Sequence, residues 1–203
     1  MRKVLLSFLM VLVFAGMTRS QTPIAHWPLD GNTQEIIGNK HGVPSTGGVN
    51  WVTDDPQRGQ CLQLDGVEGI INLPAEIWPN ETDTNTTLTV WFNWAGGDNW
   101  QRVYSLGKAD PDWKLMYVCP RDGWDGHGFH VTFHAFQPDQ WYDYVGEWGN
   151  MDFDTITPGI WYFNAIVLKE DSLKIWVNDK LVVADDSVFV TPQKIQAGDS
   201  SIN

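Results

Sequence analysis

Carboxylates, histidines and aromatic rings are the side chains of this chain that could do chemistry. Cleavage of a glycosidic bond would need two carboxylates about 5 Å apart, which on one strand means acids two or four residues apart on the same face. Glu147 and Asp152 come nearest to such a pair, and Gly149-Asn150 breaks any strand between them. The sequence therefore predicts no catalytic carboxylate pair.

His130 and His134 are the other candidates for acid–base chemistry. They lie four residues apart on one face of an alternating stretch, and Tyr142 follows in the next extended segment. A His/Tyr pair of this kind could exchange protons with a sugar ring. An ordinary polar outer face explains the same pattern, and it is the interpretation that we favour.

Aromatic residues are unusually frequent, with 12 Trp in 203 residues. A predicted strand that holds a Trp most often buries it, and the strands hold Trp27, Trp91, Trp94, Trp161 and Trp176. Large aromatics in loops rich in Asp, Gly and Asn instead indicate an interaction surface, because exposed rings are costly. We predict that sugar rings stack on this second group, which comprises Trp100, Trp124, Trp141, Tyr142 and Trp148.

The sequence also offers a candidate calcium site and a candidate disulfide. Asp30, Gly31 and Asn32 offer hard oxygens of the kind that calcium prefers, although an Asx turn uses the same residues. Cys61 and Cys119 lie in separate predicted strands, where they could form a disulfide or remain buried thiols. The sequence leaves both alternatives open.

The first 20 residues have the layout of a secretory signal peptide. Arg2 and Lys3 precede an apolar run that is too short to span a membrane, and Thr18 and Ser20 suit cleavage before Gln21. The net charge is −12 and becomes more negative without the leader, which argues against nucleic acid as a partner. We expect a secreted chain, 21–203, that forms one domain without a membrane span.

The rest of the chain consists of short alternating segments separated by polar turns. The longest runs from Leu88 to Lys108 and predicts two strands joined by a turn at Gly96-Gly97. No segment beyond the leader has a sustained helical period. About a dozen short strands with short connections predict an all-β sandwich of two antiparallel sheets.

Several motifs resemble the laminin-G-like jelly-roll domains of the concanavalin A-like lectin/glucanase superfamily. W-P-L-D-G-N at 27–32 is similar to the first strand and loop of the family, and G-Q-C-L-Q-L-D-G at 59–66 is similar to a later strand. L-T-V-W-F-N-W-A-G-G-D-N-W-Q-R at 88–102 and K-L-M-Y-V-C-P-R at 114–121 resemble a subgroup often fused to secreted bacterial glycosidases. The resemblance covers nearly all of residues 24–198 and implies a jelly roll.

The resemblance also implies a structural Ca²⁺ at Asp30–Asn32 and marks two departures. The family commonly ends in one more strand, so we expect a jelly roll that lacks its last strand. Asn164 stands where the family often has His. Arg102 could anchor the W-Q-R turn, which would be a structural role.

We expect a non-catalytic carbohydrate-binding or adhesion module that recognises a polysaccharide or glycan. It could be joined to a catalytic domain in a longer protein. One alternative is a glycosidase or lyase of the same fold, with His130, His134 and Tyr142 at its centre. Another is a protein–protein interaction domain.

Overall fold

The computed structural model describes residues 23–56, 58–77, 84–108, 114–121, 129–134, 156–188, 195 and 200–202. These residues form twelve strands and one 3-10 turn, Ala75–Ile77. The strands are β1 (Val43–Pro44), β2 (Val49–Asp55), β3 (Gly59–Leu64), β4 (Ile71–Leu73), β5 (Asn85–Asn93), β6 (Tyr104–Lys108), β7 (Lys114–Cys119), β8 (His130–His134), β9 (Trp161–Lys169), β10 (Ser172–Val177), β11 (Lys180–Asp185) and β12 (Ser200–Ile202).

Two antiparallel sheets form a sandwich, as the alternating sequence predicted. One sheet has the order β1-β4-β12-β6-β7-β8, the other has the order β11-β10-β9-β5, and β2 and β3 form a separate hairpin. In β9, buried and half-buried residues alternate without a break until the final Lys169. This strict period of two turns one side of each strand toward the other sheet.

The hydrophobic core lies between the two sheets. The six-stranded sheet contributes Tyr104 and Leu106 of β6 and Met116 and Val118 of β7, and the four-stranded sheet contributes alternate residues of β9 and β10. Burial of these apolar side chains supplies the main free energy of folding. The core residues from these four strands include Tyr104, Leu106, Met116, Val118, Tyr162, Ile166, Leu168, Leu173, Ile175 and Val177.

β5 and β6 do not form the predicted hairpin. β5 pairs with β9 in the four-stranded sheet, whereas β6 pairs with β7 and β12 in the six-stranded sheet. Gly96 and Gly97, with φ of 89° and 140°, lie in the segment that passes from one sheet to the other. The sequence correctly indicated a break at Gly96-Gly97. The strands on either side of such a break need not pair with each other.

β12 occupies the middle of the six-stranded sheet. It pairs with β4 through Ser200–Ile202 and with β6 through Ser201 and Ile202. β12 thereby joins β4 to β6. The absence of the last strand of the jelly roll, which would leave an unpaired edge, stays a prediction.

Trp91 is not a core residue, contrary to our expectation. Its side chain is 51% exposed on the outer side of β5, where it contacts Phe163 with ring centroids 5.1 Å apart. The Arg58 guanidinium, from the end of the β2–β3 hairpin, lies 4.0 Å from the Trp91 ring centroid and 5.1 Å from that of Trp161. Trp94, on the opposite side of the chain, packs against the core as expected.

Two buried polar atoms in the sandwich interior have no hydrogen-bond partner among the described residues. They are the hydroxyl of Tyr104 and Oδ1 of Asn164, the residue at which the family often has His. Asn164 is fully buried, and its Nδ2 donates to the carbonyl of Trp176 at 3.0 Å. Burial raises the pKa of the Tyr104 hydroxyl, which keeps it neutral.

Glu35 fixes the loop that precedes β1. Its carboxylate is almost fully buried and accepts hydrogen bonds from the backbone N–H groups of His26, Ile37, Gly38 and Lys40. Burial raises the pKa of Glu35, but the four backbone donors outweigh it and lower the pKa to about 2. The charged form of Glu35 therefore stabilises the folded loop.

The two cysteines are present as thiols. Cys119 is buried in β7 of the six-stranded sheet, and Cys61 is half-buried in β3 of the separate hairpin. The disulfide considered from the sequence is not formed in this structure.

Candidate functional site

The face of the six-stranded sheet that points away from the core forms the candidate site. Because Tyr104 and Leu106 of β6 face the core, Ser105 between them faces outward. Ser105 pairs with Tyr117 of β7, which pairs with Thr132 of β8, so the three positions share that outer face. On the other side of Ser105, the row continues through Ser201 and Asn72.

This outer face carries no acidic residue within its strands. None of the six strands contains Asp or Glu, although the chain has 25 acidic residues. In β8, positions 130 and 134 share this face by register, and His130 is described there. The strands that carry the site therefore supply no carboxylate, although the protein as a whole is strongly acidic.

The loop before β6 carries Trp100 and Arg102, which lie beside the row of outward-facing positions that includes Ser105 and Tyr117. Gln101 anchors this loop, since its Oε1 accepts a hydrogen bond of 2.8 Å from Nε1 of Trp94. A Cβ on Gly97 would lie 2.7 Å from Gln101 Oε1, and a Cβ on Gly66 would lie 2.6 Å from Nε2. Both glycines are thus needed to admit the amide, and the anchored Gln101 lies between Trp100 and Arg102 in the chain.

Trp100 is held in an unusual backbone conformation. Its φ is +66°, in the left-handed region that bulky residues rarely adopt. Its N–H donates to the carbonyl of Arg121 at 2.9 Å, and its ring meets the ring of His130 edge-on at 5.6 Å. The indole remains 37% exposed. Such backbone strain is characteristic of functional positions.

The guanidinium of Arg102 stacks on the ring of Tyr117. Its guanidinium carbon is 4.4 Å from the ring centroid of Tyr117, and Nη1 donates to Oγ of Ser105 at 3.4 Å. The ring of Tyr117 is in turn 6.2 Å from that of His130, which is only 3% exposed. Trp100, Arg102, Ser105, Tyr117 and His130 thus form one continuous cluster, which we call the outer-face cluster.

Only part of the predicted sugar-binding set can be placed. Trp100 belongs to the outer-face cluster. The other four predicted residues, Trp124, Trp141, Tyr142 and Trp148, lie outside the described residues.

Four members of the cluster were not assigned to a binding site from the sequence. We had considered Arg102 as a turn anchor, His130 for catalysis, and Tyr117 and Ser105 for no role. The structure gives the anchoring role to Gln101. The outward position of Ser105 and Tyr117 could have been read from strand alternation, had their pairing been known.

Asp30 and Asn32 already use side-chain oxygens in hydrogen bonds, Asn32 within its own turn and Asp30 to β3. Asp30 Oδ1 accepts from the backbone N–H of Gln60 at 3.2 Å, and Asn32 Oδ1 accepts from that of Gln34 at 2.8 Å. In the part of the chain that the structure describes, no three His, Cys, Asp or Glu side chains form a group suited to a metal. This geometry matches the Asx-turn alternative, and calcium at Asp30–Asn32 stays a prediction.

Comparisons with known proteins support the fold. A scan of protein-family models finds no match, and a search of curated proteins finds none either. Among solved structures, the chain is similar to domain 4 of AbnA, a GH43 extracellular arabinanase from Geobacillus stearothermophilus, solved in complex with arabinotriose. The TM-score is 0.60 at 18% identity, over 87% of this chain and 80% of that one. The similarity confirms the β-sandwich fold.

One further observation bears on the membrane. No helix in the described residues is long and apolar enough to cross a bilayer.

Proposed function

We propose that this chain is a secreted, non-catalytic glycan-binding module and that the outer-face cluster binds the sugar. The observation that carries the proposal is the position of Trp100, a partly exposed indole held beside the Arg102–Tyr117 stack. A sugar ring has an apolar face edged by hydroxyls. An exposed aromatic ring next to fixed hydrogen-bonding groups complements both features.

Two further arguments support a glycan as the partner. The domain of similar fold was solved with arabinotriose, an oligosaccharide. The motifs at 88–102 and 114–121 resemble laminin-G-like domains fused to secreted glycosidases, and they contribute Trp100, Arg102 and Tyr117 to the cluster. Secretion follows from the leader at 1–20, and a catalytic domain in a longer parent protein would be consistent with this role.

The composition of the sheet supports a binding role without catalysis. Retaining and inverting glycosidases use two carboxylates close to the scissile bond. The strands that carry the outer-face cluster have no Asp or Glu to supply them. His130 is almost fully buried between Trp100 and Tyr117, which favours a supporting role over proton transfer to a substrate.

A glycan array probed with the purified protein tests this proposal. Trp100→Ala should lower the affinity for the bound glycan by about tenfold or more, because it removes the central aromatic contact. Trp91→Ala is the matched control, since Trp91 is also an exposed indole but lies on the outside of the other sheet. It should leave the affinity unchanged.

The same preparations separate the remaining alternatives. Release of reducing sugars or unsaturated products from a polysaccharide panel would contradict a non-catalytic role and favour an enzyme. Equal loss of binding in Trp100→Ala and Trp91→Ala would contradict the outer-face cluster as the site. Absence of glycan binding together with capture of a protein would favour a protein–protein interaction domain.

A further inference from the structure

The guanidinium of Arg102 is fixed in position but only slightly used. The side chain is half-buried, stacked on Tyr117 and in one long contact with Oγ of Ser105 at 3.4 Å. A guanidinium has five N–H donors in a rigid fork. Most of these donors therefore make no hydrogen bond to the described residues, while the stack on Tyr117 has already restricted the side chain's freedom.

Among the residues that the structure describes, none supplies a counter-charge to Arg102. Its contacts are those with Ser105 and Tyr117, and no carboxylate among the described residues pairs with it. The six strands beneath it contain no Asp or Glu, in a chain with 25 acids and 13 basic residues. A half-buried cation that pairs with no carboxylate among the described residues, in so acidic a protein, is suited to an anion from outside.

We propose that Arg102 binds the carboxylate of a uronic acid residue in the glycan. This inference rests on the proposed glycan-binding function and adds the chemical class of the sugar. The planar fork can donate two parallel hydrogen bonds to a carboxylate, and such bonds are stronger than those to neutral hydroxyls. Trp100, two residues earlier, is placed to stack on the ring of the same sugar or of its neighbour.

The charge of the whole protein limits the kind of acidic glycan. At a net charge of −12, the protein repels a polymer that carries a charge on every residue. A single uronate on a largely neutral oligosaccharide avoids most of that repulsion while satisfying Arg102. The preferred ligand is therefore a neutral glycan with occasional uronic acid residues.

Calorimetric titration with paired oligosaccharides tests this inference. Each pair consists of a neutral oligosaccharide bearing one uronic acid and the same molecule after reduction of the carboxyl group to an alcohol. We expect the uronate form to bind at least about tenfold more tightly, since hydrogen bonds to charged groups exceed those to neutral ones. Arg102→Gln should bring the two forms to equal affinity, and Arg102→Lys should recover part of the difference.

Arg58→Gln serves as the control, because Arg58 stacks on Trp91 on the outside of the other sheet. It should leave the preference for the uronate form intact. Equal affinity of the native protein for both forms would overturn this inference and leave glycan binding standing. An equal loss for both forms in Arg102→Gln would assign Arg102 a structural role and also overturn it. A folded native protein that binds no glycan in the panel would overturn both proposals.

Discussion

The ring of Trp100 stands edge-on against the ring of His130, with centroids 5.6 Å apart and planes at 85°. Trp100 belongs to the loop before β6, and His130 begins β8, two strands away in the sheet. The contact fixes one edge of the indole on the sheet and leaves the rest partly exposed. Substitutions of Trp100 should therefore allow its effect on glycan affinity to be measured separately from its effect on stability.

Replacement of Trp100 by Asn should abolish binding without unfolding the protein. Asn accepts the left-handed conformation at φ +66° far better than Trp, which offsets the lost contact with His130. We expect a melting midpoint within about 3 °C of the native value, together with a loss of glycan affinity of about tenfold or more. Trp100→Val should lose binding too and melt lower, since a β-branched residue is strained there. An Asn variant that melts below the Val variant would contradict this account.

Removal of the Tyr104 hydroxyl should stabilise the protein. That oxygen is buried without a hydrogen-bond partner among the described residues, so its desolvation is uncompensated. We expect Tyr104→Phe to raise the free energy of unfolding by about 1 kcal/mol, measured by chemical denaturation. Tyr162→Phe is the control, because the Tyr162 hydroxyl accepts a hydrogen bond from the N–H of Thr157 at 3.1 Å. Tyr162→Phe should lower the free energy of unfolding. A change of the same sign in both variants would contradict the prediction.

Glu35 should make stability depend on pH in the acid range. Its pKa is lowered from 4.5 to about 2, so its contribution is complete above pH 4.5 and is lost as the pH falls toward 2. Glu35→Gln should lower the melting midpoint at pH 7 by about 5 °C or more, and the gap to the native protein should narrow between pH 4.5 and 2. The exposed Glu76 gives the control variant, Glu76→Gln. A gap that is constant with pH would show that the charge of Glu35 is unimportant.

Calcium should raise the melting midpoint if the turn at Asp30–Asn32 binds it. Excess ligand stabilises the folded state in proportion to the logarithm of its concentration over Kd. We expect a rise of several degrees at millimolar Ca²⁺, reversed by chelator and absent in Asp30→Asn. Mg²⁺ at the same concentration controls for ionic strength. An unchanged midpoint in Ca²⁺ would leave Asp30 with its hydrogen bond to Gln60 of β3 and Asn32 with its turn hydrogen bond to Gln34.

Strand alternation predicted most of the secondary structure. The alternating stretches Ile160–Leu168, Leu173–Val177 and Leu181–Ala184 predict extended structure, and they correspond within one residue at each end to β9, β10 and β11, which pair with their neighbours. Such hairpins are predictable because their hydrogen bonds join residues close in the chain. The all-β sandwich follows from the same local patterns.

The sequence did not reveal which strands are partners when the connection crosses between sheets. β5 and β6 are close in the chain, yet they lie in different sheets. Aromatic residues on both faces of β5 also concealed which face is buried, so the exposure of Trp91 was missed. Alternation shows that a strand has two faces, but not which one meets the core.

The sequence alone determined the short strands, the glycine break at Gly96-Gly97 and the acidic charge, because each depends on neighbouring residues. Only the tertiary structure decided that Trp100, Arg102, Tyr117 and His130 meet on one face. These residues come from a loop and two strands whose register is set by pairing across the sheet. It also decided that Arg102 lies over strands without acids, since pairing brings together β4, β6, β7, β8 and β12, segments spread over most of the chain.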